Sequence, residues 1–295
     1  MTLSLDQTEA ALAGGVVAFE SERDTIEVVG PDAASYLQGQ ISQDVQGLGV
    51  GASAWSFVLA PQGKVDGWFR VTRIADEHFL LDLDAGHGAD ILKRLERFKL
   101  RTKATLTSAT RRLVALRGLA SPGEDVSGLG GLALPVVWPG IVGVDLLDPT
   151  TDPTVEFGDR SAFEAQRIRA GLPALGAELD EHTIPAESGV VDVSVSFTKG
   201  CYVGQELVAR VDSRGNNTPR NLVGLRLAGT EVPAIGSEVR TAEGPVGRLT
   251  SAALTSCDGV VALLYAKRGT PPDAPVQVEL PSGGHAEGQL TALPF

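Results

Sequence analysis

"FTKGCYVGQE", Phe197–Glu206, carries one of only two cysteines in a chain of 295 residues. Cys201 has Lys199 two positions upstream and glycines at 200 and 204, and "GQELVARV" opens behind it with the residue types of a helix start. Two readings compete. An unpaired cysteine is commonly a small buried hydrophobe. A thiol beside a cation and a helix start has its thiolate stabilised, and flanking glycines leave it accessible, which is the setting of a reactive cysteine. Cys257, in "LTSCDGV", lacks those neighbours and reads as packing, whereas Cys201 reads as chemistry with Lys199 as its electrostatic partner.

Downstream of this stretch, past Pro219, the texture changes to short strands at regular intervals: "NLVGLRLAG", "SEVRTAEGPVGRLTSAA", "GVVALLYAKR" and "APVQVELPSGGHAEGQLTAL". Seventy-odd residues of that kind predict a small β barrel. Upstream, "RDTIEVVG" alternates as a strand closed by Gly30-Pro31, and Asp32 stands where its carboxylate can cap a helix through "AASYLQGQISQDV". "SAWSFVLA", "VDGWFRVTRI" and "HFLLDLD" predict an antiparallel meander, followed by a basic helix over Asp90–Lys99. "ATLTSATRRLVALRG" supplies one or two further strands. Residues 121–153 are rich in Gly and Pro and read as a surface connection holding two strands, "LALPVVW" and "GIVGVDLL". Helical spacing returns in "DRSAFEAQRIRAGLPALG", with Asp159 or Ser161 as cap. The expected division is 1–219 and 220–295.

Composition limits what such a chain does. A hydrophobic fraction of 43% and a charged fraction of 21% describe a globular protein with ample core. No apolar run reaches the roughly 18 residues of a membrane-spanning helix, and "MTLSLDQTEAALAGG" has no basic region followed by an apolar block. A cytoplasmic location without membrane contact is expected. The net charge of -12 disfavours a large nucleic-acid interface, which draws its affinity from clustered Lys and Arg.

Few motifs survive scrutiny. "GLGVGAS" and "GLGGLA" lack the strand-turn-helix setting of a dinucleotide loop, and the four histidines show no metal-ligand spacing. "APQGKVDGWFR" is more informative, because a tight turn delivers Asp66 to the start of an apolar strand. There it can face a ligand, or bond its own turn backbone as Asp often does. "ILKRLERFKLRTK" groups Lys93, Arg94, Arg97, Lys99, Arg101 and Lys103 around Glu96. Those cations form a solvated helix face or a local attractor for an anionic ligand tail.

"KGCYVGQE", Lys199–Glu206, matches the signature K-G-C-Y-x-G-Q-E of the YgfZ-type folate-binding proteins at every specified position. "GPDAASYLQGQISQDV", "APQGKVDGWF" and "EAQRIRAGLPALGAEL" resemble other segments of that family, so the likeness spans most of the chain. It implies an α+β fold: a folate-binding portion like the T-protein of glycine cleavage, then a C-terminal antiparallel β barrel. It also implies a role in assembly or repair of iron-sulfur clusters, with assembly factors or client enzymes as partners, among them enzymes that thiolate tRNA. Tetrahydrofolate or a derivative is the implied cofactor. Asp66 and Arg167 are implied to contact it, with Tyr202, Gln205 and Glu206 nearby, and Cys201 with Lys199 is implied to be the reactive group. The rival implication is a tetrahydrofolate-dependent aminomethyl or demethylating transferase. Departures weaken it: the G-G-x-x-D-D of T-proteins is here Gln62-Gly63-Lys64-Val65-Asp66-Gly67, and their L-R-x-E-x-G has Arg169 in place of its glutamate.

Overall fold

The computed structural model describes residues 2–121 and 126–295. In chain order the elements are α1 (Leu5–Gly14), β1 (Val17–Val29), α2 (Ala33–Gln40), β2 (Ser53–Leu59), β3 (Val65–Ala75), β4 (His78–Asp84), α3 (Gly88–Arg97), β5 (Thr105–Arg117), β6 (Leu132–Trp138) and β7 (Ile141–Leu147). Then come α4 (Arg160–Arg169), α5 (Val191–Ser194), α6 (Gln205–Asp212), β8 (Arg220–Leu227), β9 (Glu238–Thr241), β10 (Gly244–Leu254), β11 (Val260–Lys267), β12 (Pro275–Glu279) and β13 (His285–Thr291). Two compact units emerge, one of Met1–Ser21, Arg112–Pro173 and Pro219–Phe295, the other of Glu22–Arg111 and Ala174–Thr218. Part of the Gly/Pro-rich stretch, 122–125, lies outside the described residues. No helix among the described residues is long and apolar enough to cross a membrane.

In the first unit the strands after Pro219 close into a six-stranded antiparallel barrel in the order β10-β11-β8-β13-β12-β9, as their alternation predicts. The run "VVALLYA" is the informative exception to that alternation. Val260, Ala262 and Leu264 face the barrel core with Leu225, Val278 and Leu290, while Val261, Leu263 and Tyr265 pack on Ala165 and Ile168 of α4. A strand covered on both faces has no polar positions to alternate with. Asp159 caps α4 as expected, accepting from the Ser161 amide at 2.7 Å. The second half of β5 pairs with β7 and β7 with β6, all antiparallel.

The second unit holds the meander β2-β3-β4 with β4 pairing onto β1. Phe57, Phe69, Phe79, Leu81 and Ile26 are fully buried there, and α2 and α3 contribute Leu37, Ile91 and Leu95 to the buried set. Two expectations for this unit need correction. Asp32 does not cap α2 with its side chain; its carboxylate accepts from the Lys103 amide at 2.7 Å. The helix also stops at Gln40 instead of running on to Val45, because Ile41 turns extended and bridges to Val58 of β2.

Candidate functional site

The turn between β2 and β3 determines where Asp66 points. Val58 pairs with Gly67 and Leu59 with Val65, so Asp66 is the extra residue of a β-bulge. A bulge releases a side chain from the regular pleat and re-aims it. Gly67 next to it has a separate duty: a Cβ there would stand 2.5 Å from the Ile91 side chain, so glycine lets α3 lie close on β3. That approach brings Arg94 of α3 to Asp66, with Nε 2.9 Å from Oδ2. The same guanidinium donates to the Leu59 carbonyl at 2.7 Å and to Gln40 Oε1 at 3.3 Å, and lies over the Phe98 ring. Its side chain is only 11% exposed, which removes Arg94 from the solvated face that its neighbours occupy.

Between α3 and the loop 175–182 lies a cavity of about 580 Å³. The loop is pinned at both ends: the Leu175 amide donates to Asp84 at 2.9 Å, and the Thr183 carbonyl accepts from the Val65 amide at 3.1 Å. Asp66 and Arg94 line the cavity, with Lys93 and Arg97 from α3 and Asp180 and Glu181 from the loop. With Asp90 of α3 also among the lining residues, carboxylates and cations share the cavity, which suits an amphoteric ligand that presents both N–H donors and anionic groups.

The Cys201 loop belongs to the same unit and meets the same hairpin. Gly63 in the hairpin turn has φ +84 and Gly204 has φ +83; a Cβ on the first would stand 2.4 Å from Leu207 Cβ, and one on the second 2.5 Å from the Ala60 carbonyl oxygen. Both positions therefore require glycine. Gly204 is also the residue from which α6 starts. Cys201 is exposed and unbridged. Lys199 is half-buried, and its Nζ donates to the carbonyls of Ile41 at 2.7 Å and Gln43 at 2.9 Å. Burial lowers its pKa to about 8, with Asp44 acting in the opposite direction. The Tyr202 ring lies 5.1 Å from that nitrogen. Burial raises the pKa of the Tyr202 phenol to about 12. Gln205 Oε1 accepts from the Tyr202 amide at 3.1 Å, and Glu206 is exposed in the first turn of α6.

Asp66, Lys199, Cys201, Tyr202, Gln205 and Glu206 thus share one unit, and Arg167 belongs to the other. The Arg167 guanidinium is held by Glu164, by the Leu172 carbonyl at 2.6 Å and by Ser251 Oγ at 2.6 Å. Arg169, at the position of the transferases' glutamate, pairs with Asp258 at 2.9 Å. Cys257 is exposed, contrary to the packing role read for it, because it lies between β10 and β11 beyond the barrel's covered strands. Sequence reasoning missed Arg94 as a partner of Asp66, and missed Ile41 and Gln43 as acceptors for Lys199.

No protein-family model matches the chain. Among curated proteins it is 32% identical to the mitochondrial iron-sulfur cluster assembly factor IBA57 homolog of Pyricularia oryzae, over 68% of this chain and 54% of that protein's length. It is 26% identical to the tRNA-modifying protein YgfZ of Cronobacter sakazakii, over 78% of this chain and 76% of the relative. The chain belongs to the YgfZ/IBA57 family. Among solved structures, the glycine cleavage system aminomethyltransferase T of Bartonella henselae superposes with a TM-score of 0.80 at 23% identity, covering 95% of this chain and 86% of that one. The fold is therefore that of the aminomethyltransferases, as the resemblance of the sequence implies.

Proposed function

We propose that the protein is a folate-binding accessory factor for the assembly or repair of iron-sulfur clusters in client enzymes, acting in the cytoplasm, with Cys201 as its reactive group. One observation carries the reading: in a chain related to an assembly factor, Cys201 is presented as an exposed thiol on a loop whose neighbouring residues are tied down. A thiolate is the nucleophilic form of cysteine, and exposure puts it within reach of a partner protein. The cluster is cargo, destined for the client.

Reduced folate is assigned to the cavity of the second unit. A volume of about 580 Å³ is in the range of small-molecule sites. Asp66, Asp180 and Glu181 offer acceptors to the N–H groups of a pterin ring, and Lys93 and Arg97 offer charge to the carboxylates of the tail. Bound reduced folate supplies nitrogens that carry one-carbon units. The protein's own contribution is to orient it, with Asp66 fixed by Arg94, and to keep the Cys201 loop packed on the hairpin that carries Asp66.

The test joins calorimetric titration with tetrahydrofolate to complementation by Cys201→Ala in cells lacking the native protein. Expected are saturable binding by both forms and loss of cluster-dependent enzyme activity with the variant. Absence of binding removes folate from the reading; full complementation by Cys201→Ala removes the thiol.

A further inference from the structure

The loop bearing Cys201 is anchored on both sides of the thiol. Upstream, the Ser196 amide donates to the Ser42 carbonyl at 3.0 Å and Lys199 donates to Ile41 and Gln43; downstream, the Val203 amide donates to the Gly39 carbonyl at 3.2 Å. All four acceptors lie within Gly39–Gln43, one in the last turn of α2 and three in the segment that follows it. That segment is itself fastened to β2. The Ser42 amide donates to the Phe57 carbonyl at 2.9 Å, Ile41 bridges to Val58, and the Gln43 amide donates to Ser56 Oγ at 3.0 Å. Gly200 and Cys201 stand exposed between the anchors.

The amine of Lys199 is occupied in this arrangement. Two donor directions go to backbone carbonyls of the segment just after α2, Ile41 and Gln43, which α2, ending at Gln40, does not include. We infer that Lys199 is a positioning residue, which fastens the Cys201 loop to the segment that follows α2 and so fixes where the thiol is presented. This replaces the reading of Lys199 as a charge set against the thiol. It rests on Cys201 being the reactive group of the proposed function, and its test uses neither folate nor clusters.

The experiment uses the full chain with Cys257→Ser, so that Cys201 is the only thiol, and compares Lys199→Met and Lys199→Arg with the unsubstituted lysine. Amide hydrogen exchange is followed at Ser196 and Val203, with the β1–β4 ladder as internal control. The pH midpoint of Cys201 alkylation by iodoacetamide is measured alongside. In Lys199→Met the two loop amides should exchange about 10- to 100-fold faster, the scale set by losing hydrogen bonds from a charged donor. The ladder should stay protected and the alkylation midpoint should not move. Lys199→Arg, whose guanidinium can serve both carbonyls, should restore protection. A raised alkylation midpoint in Lys199→Met with loop amides still protected would overturn the inference in favour of a charge effect. Should Lys199→Met fail to fold, a folded Lys199→Arg that loses loop protection overturns it equally. A thiol that resists alkylation at every pH counts against the proposed function instead, and amide exchange still decides the role of Lys199.

Discussion

Gly204→Ala and Gly200→Ala are one methyl group each, four residues apart on either side of the Cys201–Val203 tripeptide, and the structure assigns them opposite outcomes. Gly204 has φ +83, and an added Cβ would stand 2.5 Å from the Ala60 carbonyl oxygen and 2.7 Å from Leu59 Cβ. Placing a non-glycine residue in the left-handed region costs about 1–2 kcal/mol, and forcing a methyl group into filled space adds about 1–3 kcal/mol. The sum is about 2–5 kcal/mol. Gly200 has no atom within 4 Å of its added Cβ and no positive φ, so alanine there should be neutral or stabilising by up to about 1 kcal/mol through the unfolded chain.

The assay is urea denaturation of both variants and the parent, followed by tryptophan fluorescence. Trp55 and Trp68 stack at 4.1 Å within the unit that contains both glycines, and so report its unfolding. Gly204→Ala should lower that transition's midpoint clearly at unchanged slope, and Gly200→Ala should not. A Gly204→Ala protein within about 0.5 kcal/mol of the parent, the range of ordinary surface substitutions, would refute the packing of α6 on the hairpin.

Arg167→Ala should destabilise the protein by about 1.5–3 kcal/mol, since it abandons Glu164, the Leu172 carbonyl and Ser251 around a guanidinium with 13% exposure. Unchanged stability with weakened tetrahydrofolate affinity would place the arginine against the ligand instead. For pH, the folded-state value of Lys199 is lowered from 10.5 to about 8, first by burial, so between those values the unfolded chain holds more of this proton than the folded one. Stability should therefore rise with pH across that window, by about 1 kcal/mol once partial exposure is allowed for, and the rise should be missing in Lys199→Met. Parallel pH profiles for the two proteins would contradict the assignment.

What could be read from the sequence followed the distance over which the decisive interactions act. The barrel was legible because each strand carries its own alternation and turn residues, and β11 read as a strand despite lacking alternation because "VVALLYAK" is short and bounded. The meander was legible for the same reason. Asp66 was singled out by its turn, but the bulge that re-aims it depends on the register of two strands, and its partner Arg94 lies 28 residues away on a helix whose other cations do face water. Nothing local distinguishes Arg94 from Lys93. The acceptors for Lys199 were beyond reach altogether, being backbone carbonyls more than 150 residues upstream, and a carbonyl carries no residue identity to read.

The same distinction sorts the eight residues Lys199–Glu206 by duty. Lys199 fastens the loop to the segment after α2, Tyr202 and Gln205 hold one another, Val203 donates to Gly39, and Gly204 takes a positive φ where an added Cβ would meet the hairpin. Glu206 sits in the first turn of α6, where a negative charge suits the helix dipole. Gly200 and Cys201 are exposed, and no added Cβ on Gly200 would meet anything. A stretch in which the residues around one position are committed to holding it, while that position itself contributes no packing, is built to present a side chain. The side chain presented is a thiol, so its removal should cost the protein little stability and much of its function.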